Sequence, residues 1–418
     1  MSRIVQVANF VTPSSGGLRT TLRHLASGYA EAGHDVIQVL PGPADQDVGT
    51  SSGRQILRRS PALPGTGYRV LRGGAQLTAL LDRLEPDRIE VHDRTTLRGL
   101  GSWAAARGVP SLVVSHERTD RWLEQWVPHS LPLTSLADRY NAELAARFDV
   151  VLCTTAWAAA EFERLPTPHL VRVPLGVDLD GLHPQAADGV WRRHQLCGAE
   201  HLLILVSRLS REKRPLLALE TVAELVRRGR SVRLLVAGSG PQQRMLQRRA
   251  HAWRFAGQPQ RRQPPDPWPF AGRPPRPQLP VSFVGYVSER AQLARLLASA
   301  DLLLAPGPVE TFGLAALEAL ASGTSAIVNQ ASALPEVIGD SGGRCAEGRA
   351  TAFADAVEQE LAVAADLRRA GARTRAERFP WPATVAGFLN AHKLPLSAPT
   401  STISANPVEQ ASGAQRSG

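Results

Sequence analysis

Glu310 and Glu318 stand eight positions apart in "ETFGLAALE", with a glycine and an apolar run between them. An acid just before a helix and a second acid two turns inside it suit a polyhydroxylated ligand, because a carboxylate accepts two hydrogen bonds side by side. Thr311 is expected to cap this helix, which leaves the amides of Phe312, Gly313 and Leu314 free to face a ligand. Gly313 lets that ligand approach the backbone closely, and a helix start favours electron-rich groups. Glu310 would then accept from sugar hydroxyls, and Glu318 from another diol such as a ribose. Taken alone, Glu318 reads equally well as a buried glutamate paired with a nearby arginine. Arg208 and Lys213, in "SRLSREK" (207–213), offer positive charge for a diphosphate.

These residues need a frame that brings them together. The chain has 418 residues, enough for two domains. Its first half alternates near-continuous apolar runs with helical patterns: 3–10, 35–40, 88–92, 111–116, 149–155 and 169–175 read as strands, and 18–33 as a helix stopped by Gly33. The pattern restarts with strands at 201–209, 231–240, 281–287, 301–307 and 325–330, separated by helices at 214–228, 289–299, 312–322 and 351–370. The architecture expected is α/β: two Rossmann-like, doubly wound domains facing across a cleft, residues 1–180 and 181–380, with the hinge near 177–198. A helix over 381–394 would pack back on the first domain, and residues 395–418, rich in Ser, Pro, Ala and Gly, would form a disordered tail.

Ligands of open α/β sheets bind beyond the carboxyl ends of the strands. The residues following the strands here are Gly16-Gly17, His92-Asp93, His116-Glu117-Arg118, Arg208 and Lys213, Gly238-Ser239-Gly240, Tyr286 and Glu310. His116 is read as functional, and His92-Asp93 as a structural strand end.

Composition narrows the classes. Net charge is +10, but eight arginines against Asp266 alone crowd the stretch from Gln242 to Pro280, so the chain as a whole is not a nucleic-acid-binding surface. Residues 254–280 read as a proline- and arginine-rich surface insertion. Lys213 and Lys393 are the only lysines, which draws attention to Lys213. Three scattered cysteines offer no metal-ligand spacing and fit a reduced, cytoplasmic protein. The start "MSRIVQVANF" does not read as a signal peptide. Asp178-Leu-Asp180 resembles a metal-binding D-x-D, but it falls in the hinge. "GSGPQQ" lacks the third glycine of a dinucleotide loop. A glycosidase would use paired carboxylates too, but Arg208 and Lys213 favour a phosphate-bearing donor.

The ordered set of these features resembles the family-4 retaining glycosyltransferases of the GT-B fold. The matching stretches are the glycine pair after the first strand, "VPLGVDLDGLHP" (173–184), "SRLSREK", "VAGSGP" (236–241), "ETFGLAALE" (310–318) and "FPW" (379–381). The resemblance covers residues 3–392. It departs at Leu175, where the family often has asparagine, and at the 254–280 insertion. It implies that Glu310 contacts the donor sugar beside the Phe312, Gly313 and Leu314 amides, and that Glu318 holds the ribose. Arg208 and Lys213 would neutralise the leaving diphosphate, with the Gly16 and Gly17 amides added from the other domain. His116 would sit near the sugar's 6-hydroxyl, and Gly285, Tyr286 and Val287 would line the base. The implied reaction is metal-independent, retaining, front-face transfer of a hexose to a hydroxyl, with no cofactor.

"SHERTDRWLEQW" (115–126) resembles the mannosyltransferases of bacterial envelope glycolipids, which points to GDP-mannose, with UDP- and ADP-sugars as alternatives. A non-catalytic, nucleotide-sugar-binding protein is the other class, and intact Glu310, Glu318, Arg208 and Lys213 count against it. The expected acceptor is a glycan or lipid-linked hydroxyl. Arg54, Arg58, Arg59, Arg69, Arg72, Arg118 and Arg121, with Trp122 and Trp126, read either as an ordinary solvated face with the tryptophans packed inward or as a face for an anionic membrane or phospholipid head, and the second reading would place the protein peripherally at the inner face of the plasma membrane.

Overall fold

The computed structural model describes residues 1–11, 16–63, 67–123, 133–167, 169–252 and 280–393. The 254–280 insertion (apart from Pro280), the expected tail and Trp126 lie outside these residues, as does the side chain of Trp122.

The first half contains β1 (Arg3–Val7), α1 (Gly17–Glu31), β2 (Asp35–Gly42), β3 (Gln46–Thr50), β4 (Gly53–Arg59), α2 (Ala75–Leu84), β5 (Arg88–Val91), α3 (Gly99–Arg107), β6 (Ser111–Ser115), α4 (Thr119–Leu123), α5 (Leu133–Ala145), β7 (Val150–Cys153), α6 (Ala156–Glu163) and β8 (Leu170–Arg172). Its sheet runs β3-β4-β2-β1-β5-β6-β7-β8. Every pairing is parallel except β3 with β4. The sequence reading missed β3 and β4. Every residue of β3 is exposed, so this edge hairpin lacks the apolar run that marks a buried strand.

The second half contains α7 (Gly189–Leu196), β9 (His201–Val206), α8 (Pro215–Arg227), β10 (Val232–Ala237), α9 (Gln243–Ala252), β11 (Val281–Gly285), α10 (Arg290–Ser299), β12 (Leu302–Ala305), α11 (Leu314–Ala321), β13 (Ser325–Asn329), α12 (Leu334–Ile338), β14 (Gly343–Ala346), α13 (Ala350–Leu361) and α14 (Ala365–Ala376). Its sheet is wholly parallel, in the order β11-β10-β9-β12-β13-β14. The single helix expected over 351–370 is two helices, α13 and α14. No Gly or Pro marks the break. Arg368 turns inward there, donating to the carbonyls of Val363 and Asp301, and Arg369 donates to Ala298 and Ala300. The carbonyls of Asp301, Ala298 and Ala300 come from tertiary packing, and they hold the first turns of the second helix in place.

Strand order reverses at β1/β5 in the first sheet and at β9/β12 in the second. Such reversals open a crevice at the strands' carboxyl ends. The segments after β1 and β5 carry Gly16-Gly17 and His92. Those after β9 and β12 carry Arg208, Lys213 and Glu310.

A last helix, α15 (Trp381–His392), lies on α1 of the first half. Gly28 permits this contact, and Gly387 lets the helix close on Val173 beyond β8. A Cβ at Gly28 would fall 2.4 Å from Val385, and one at Gly387 2.6 Å from Val173. Among the described residues, no helix is long and apolar enough to cross a membrane.

Candidate active site

Lys213 ends a single 3-10 turn (Arg211–Lys213) after β9, and its Nζ donates to Glu310 Oε1 from the loop after β12. The pairing follows from topology, since β9 and β12 are neighbours at the strand reversal. Both side chains are partly exposed, at 29% and 20%, so a ligand can reach them. Gly307 makes room for the turn, because a Cβ there would press on the Glu212 carbonyl at 3.2 Å. Arg208 lies over the ring of Tyr68, 4.5 Å from its centroid. This cation–π contact reaches a first-half loop that the sequence reading had not connected with the site.

Helix α11 does not begin as expected. Thr311 is not its cap. Gly313 is, with φ +77°, and the first helical residue is Leu314. A side chain at Gly313 is barred twice, by the left-handed backbone and by Leu334, whose Cδ2 would lie 2.2 Å from a Cβ. The Thr311 hydroxyl instead donates to the carbonyl of His116, while the Thr311 carbonyl accepts from Thr155 Oγ1 at 2.8 Å. Thr311 is therefore a clasp between the halves, one residue from Glu310. Next to it, Glu336 of α12 accepts from the Ala156 and Trp157 amides at the start of α6. A carboxylate there is favoured by the helix dipole.

Gly17 opens α1 and lies beside Leu314 of α11, with its would-be Cβ 3.7 Å from Leu314 Cδ1. Two helix starts thus converge from opposite halves, an arrangement suited to an anion. Gly285 takes φ +76° and is followed by exposed Tyr286 and by Val287, which packs against the core.

Glu318 is 12% exposed and bonds Arg290 of α10 at 2.7 Å. Arg290 also lies 3.7 Å from Asp178. Burial raises the Glu318 carboxyl above its ordinary range, and Arg290 opposes this. The helix glutamate paired with arginine is therefore the arrangement observed, on the carboxylate otherwise read as a diol acceptor. The sequence reading missed Arg290. Asp178, weighed there as part of a metal motif, caps a turn by accepting the Gly181 amide at 2.8 Å. Among the described residues, no group of His, Cys, Asp and Glu is placed to hold a metal ion.

His116 is half-buried after β6, and burial lowers its pKa to about 3, so the ring is neutral near pH 7. Its Nε2 meets His92 Nδ1 at 2.8 Å. His92-Asp93, read as a structural strand end, divides in two. Asp93 is structural, binding Asn9, Thr95 and Thr96. His92 touches His116 directly. Two of the cysteines are held as thiols: Cys153 is buried with its thiol pushed up to about 12, and burial raises Cys345 as well.

Several of the arginines read as an anionic-surface face are already neutralised. Arg54 pairs with Asp47, Arg58 with Asp45, and Arg118 with Asp120 while lying over Trp157.

Residues 15–180 match the model of "Glycosyltransferase Family 4", and residues 271–362 match "Glycosyl transferases group 1". The chain is 41% identical over 396 residues to a "GDP-mannose-dependent alpha-(1-6)-phosphatidylinositol dimannoside mannosyltransferase" of Mycobacterium tuberculosis, covering 93% of this chain and 95% of that protein. It is 24% identical over 334 residues to a "GDP-mannose-dependent alpha-mannosyltransferase" of Corynebacterium glutamicum, covering 78% and 71%. Sucrose-phosphate synthase from Thermosynechococcus elongatus superposes with a TM-score of 0.72 at 21% identity, over 94% of this chain and 98% of that one. An Anabaena protein in complex with UDP and glucose superposes at 0.69 and 15% identity, over 93% and 98%.

Proposed function

The chain belongs to the family-4 glycosyltransferases of the GT-B fold, and from that premise we propose that it transfers mannose from GDP-mannose to a hydroxyl of a glycolipid acceptor, with retention and without a metal. The observation that carries this reading is the Lys213–Glu310 pair at the strand reversal, clasped through Thr311 to the carbonyl of His116. A lysine–glutamate pair lies one residue from the clasp that joins the second half to the backbone of His116.

Glu310 binds sugar hydroxyls beside the amides of Phe312, Gly313 and Leu314. Lys213 and Arg208 face the diphosphate, with the Gly16 and Gly17 amides opposite. Glu318 exchanges Arg290 for the ribose diol, and the base lies along Gly285, Tyr286 and Val287. As the sugar C1–O bond to phosphate breaks, the ring gains oxocarbenium character and the diphosphate gains charge. Prepositioned cations stabilise that charge in the role a metal would otherwise fill. The acceptor oxygen bonds C1 on the face the phosphate leaves, and the departing phosphate oxygen takes its proton. GDP, mannose and a glycolipid acceptor are favoured by the activity of the 41%-identical relative and by the 115–126 segment. A cytoplasmic protein acting at the inner membrane face fits that acceptor.

Thermal stabilisation by GDP, UDP and ADP in metal-free buffer tests the reading. Ligand at about 100 times Kd stabilises by roughly 2.7 kcal/mol. GDP is expected to raise Tm most, and the rise should shrink in Glu318→Ala. No response to any nucleotide refutes the donor site. A mass shift of one hexose on the protein after incubation with GDP-mannose refutes front-face transfer.

A further inference from the structure

Behind His116 lies a polar chain, half-buried at its β4 end and buried at Glu90, that the transfer scheme does not use. Gln55, Gln38, Gln6 and Glu90 occupy one register row across β4, β2, β1 and β5. Gln55 donates to Gln38 at 3.2 Å, Gln38 to Gln6 at 2.9 Å, and Gln6 to Glu90 Oε1 at 2.7 Å. Glu90 Oε1 also meets His92 Nε2 at 2.6 Å. Its other oxygen, Oε2, accepts from Tyr29 at 2.7 Å and meets His392 Nε2 of α15 at 2.9 Å. The Glu90 and His92 side chains are fully enclosed, and that of His392 is 3% exposed.

We infer that Glu90 and His92 are positioning residues for His116, fixing its ring and tautomer, and that the last helix takes part through His392. This rests on the reading that His116 meets the transferred sugar. Four partners around a carboxylate fill its lone pairs, so it is ionised and each partner donates. The bonds to His392 and His92 hold the Glu90 carboxyl well below its ordinary range against the opposing effect of burial. His92 therefore carries a proton on Nε2. In this assignment His92 carries a single ring proton, and its Nδ1 accepts from His116 Nε2–H over the 2.8 Å contact. That leaves His116 Nδ1 as an acceptor for a sugar hydroxyl. A neutral acceptor suits this place, because a cation beside the sugar would oppose its oxocarbenium character.

The test is the nitrogen-15 NMR spectrum of the histidine-labelled full chain, with His116 assigned by its loss in His116→Asn. At neutral pH the wild-type ring is expected to be neutral with its proton on Nε2. A proton on Nδ1, or a charged ring, overturns the inference whatever the activity. His92→Phe removes the acceptor but keeps the bulk. It is expected to lower kcat by about 100-fold, the scale of a misplaced reacting group, while Kd for GDP stays within about twofold. His92→Gln, which can bridge again, should recover part of the loss. A folded His92→Phe protein with wild-type kcat also overturns the inference. If that variant does not fold, the wild-type tautomer decides. Absence of turnover in the wild type with any sugar nucleotide would instead refute the transferase reading, and the ring-state measurement distinguishes the two failures.

Discussion

Replacing Gly313 with alanine strikes the point where sequence, backbone and site meet. Two costs can be worked from the structure. The residue sits at φ +77°, where an L-side chain costs roughly 1–2 kcal/mol. The new Cβ would lie 2.2 Å from Leu334 Cδ2 and 3.2 Å from its Cγ. Leu334 is itself buried, at 1% exposure, so it cannot swing into solvent, and overpacking of this kind costs about 1–3 kcal/mol. The sum is roughly 2–5 kcal/mol, or a Tm lowered on the order of 10 °C in a domain of this size. The amides at the start of α11 move with the strain, so turnover is expected to fall by about 100-fold. A double-mutant cycle separates the two costs. Leu334→Ala alone costs about 2–5 kcal/mol by leaving a cavity. In the double variant the methyl of residue 313 enters that cavity. The double loss should fall short of the sum of the single losses by about 1–3 kcal/mol. The backbone cost persists. Calorimetric unfolding of the four proteins measures this, and strictly additive losses would refute the steric reasoning.

Lys213→Ala removes the cation on Glu310 and is expected to cut kcat by about 100- to 1,000-fold, as for loss of one charge-stabilising donor. Tm should barely move, because both side chains of that pair are partly exposed and screened; steady-state turnover and a melting curve check this. For Glu318, the raised carboxyl pKa means the ionised form that binds a diol appears only at higher pH than for an ordinary glutamate. Arg290→Met removes the group that opposes this rise. GDP affinity should then be lost at a higher pH as pH falls than in the wild type, and matching calorimetric titrations at several pH values would contradict the pairing. Thr311→Val deletes the hydroxyl that bonds the His116 carbonyl. It is expected to lower kcat/KM several-fold with Tm shifted by no more than about 4 °C, the scale of one hydrogen bond of roughly 1 kcal/mol in a domain of this size; an unchanged kcat/KM would remove the clasp from function.

Much of the scaffold was legible because its signals are local. Apolar runs such as "LLILV" and "RLLVA", short and bounded by turn residues, read as buried strands, and the helices between them point to a parallel, doubly wound sheet. Polar residues at strand ends mark the crevice, and Lys213, Arg208 and Glu310 are among them. Strands β3 and β4 escaped because an exposed edge needs no apolar run. The α13/α14 break escaped because no Gly or Pro marks it, and the carbonyls of Asp301, Ala298 and Ala300 that hold its second helix come from tertiary packing.

By itself, then, the sequence determined which residue types follow which strands, and with them the chemistry available: carboxylates for diols, cations for a diphosphate, a glycine where a helix starts. Tertiary structure alone decided who pairs with whom. Glu318 meets Arg290, 28 positions away. Thr311 bonds His116 across 195 positions rather than capping its own helix. His392 reaches Glu90 across 302. A hydrogen bond depends on separation to within a few tenths of an ångström. Local pattern fixes direction along an element, but distances between elements are set only when the whole core packs.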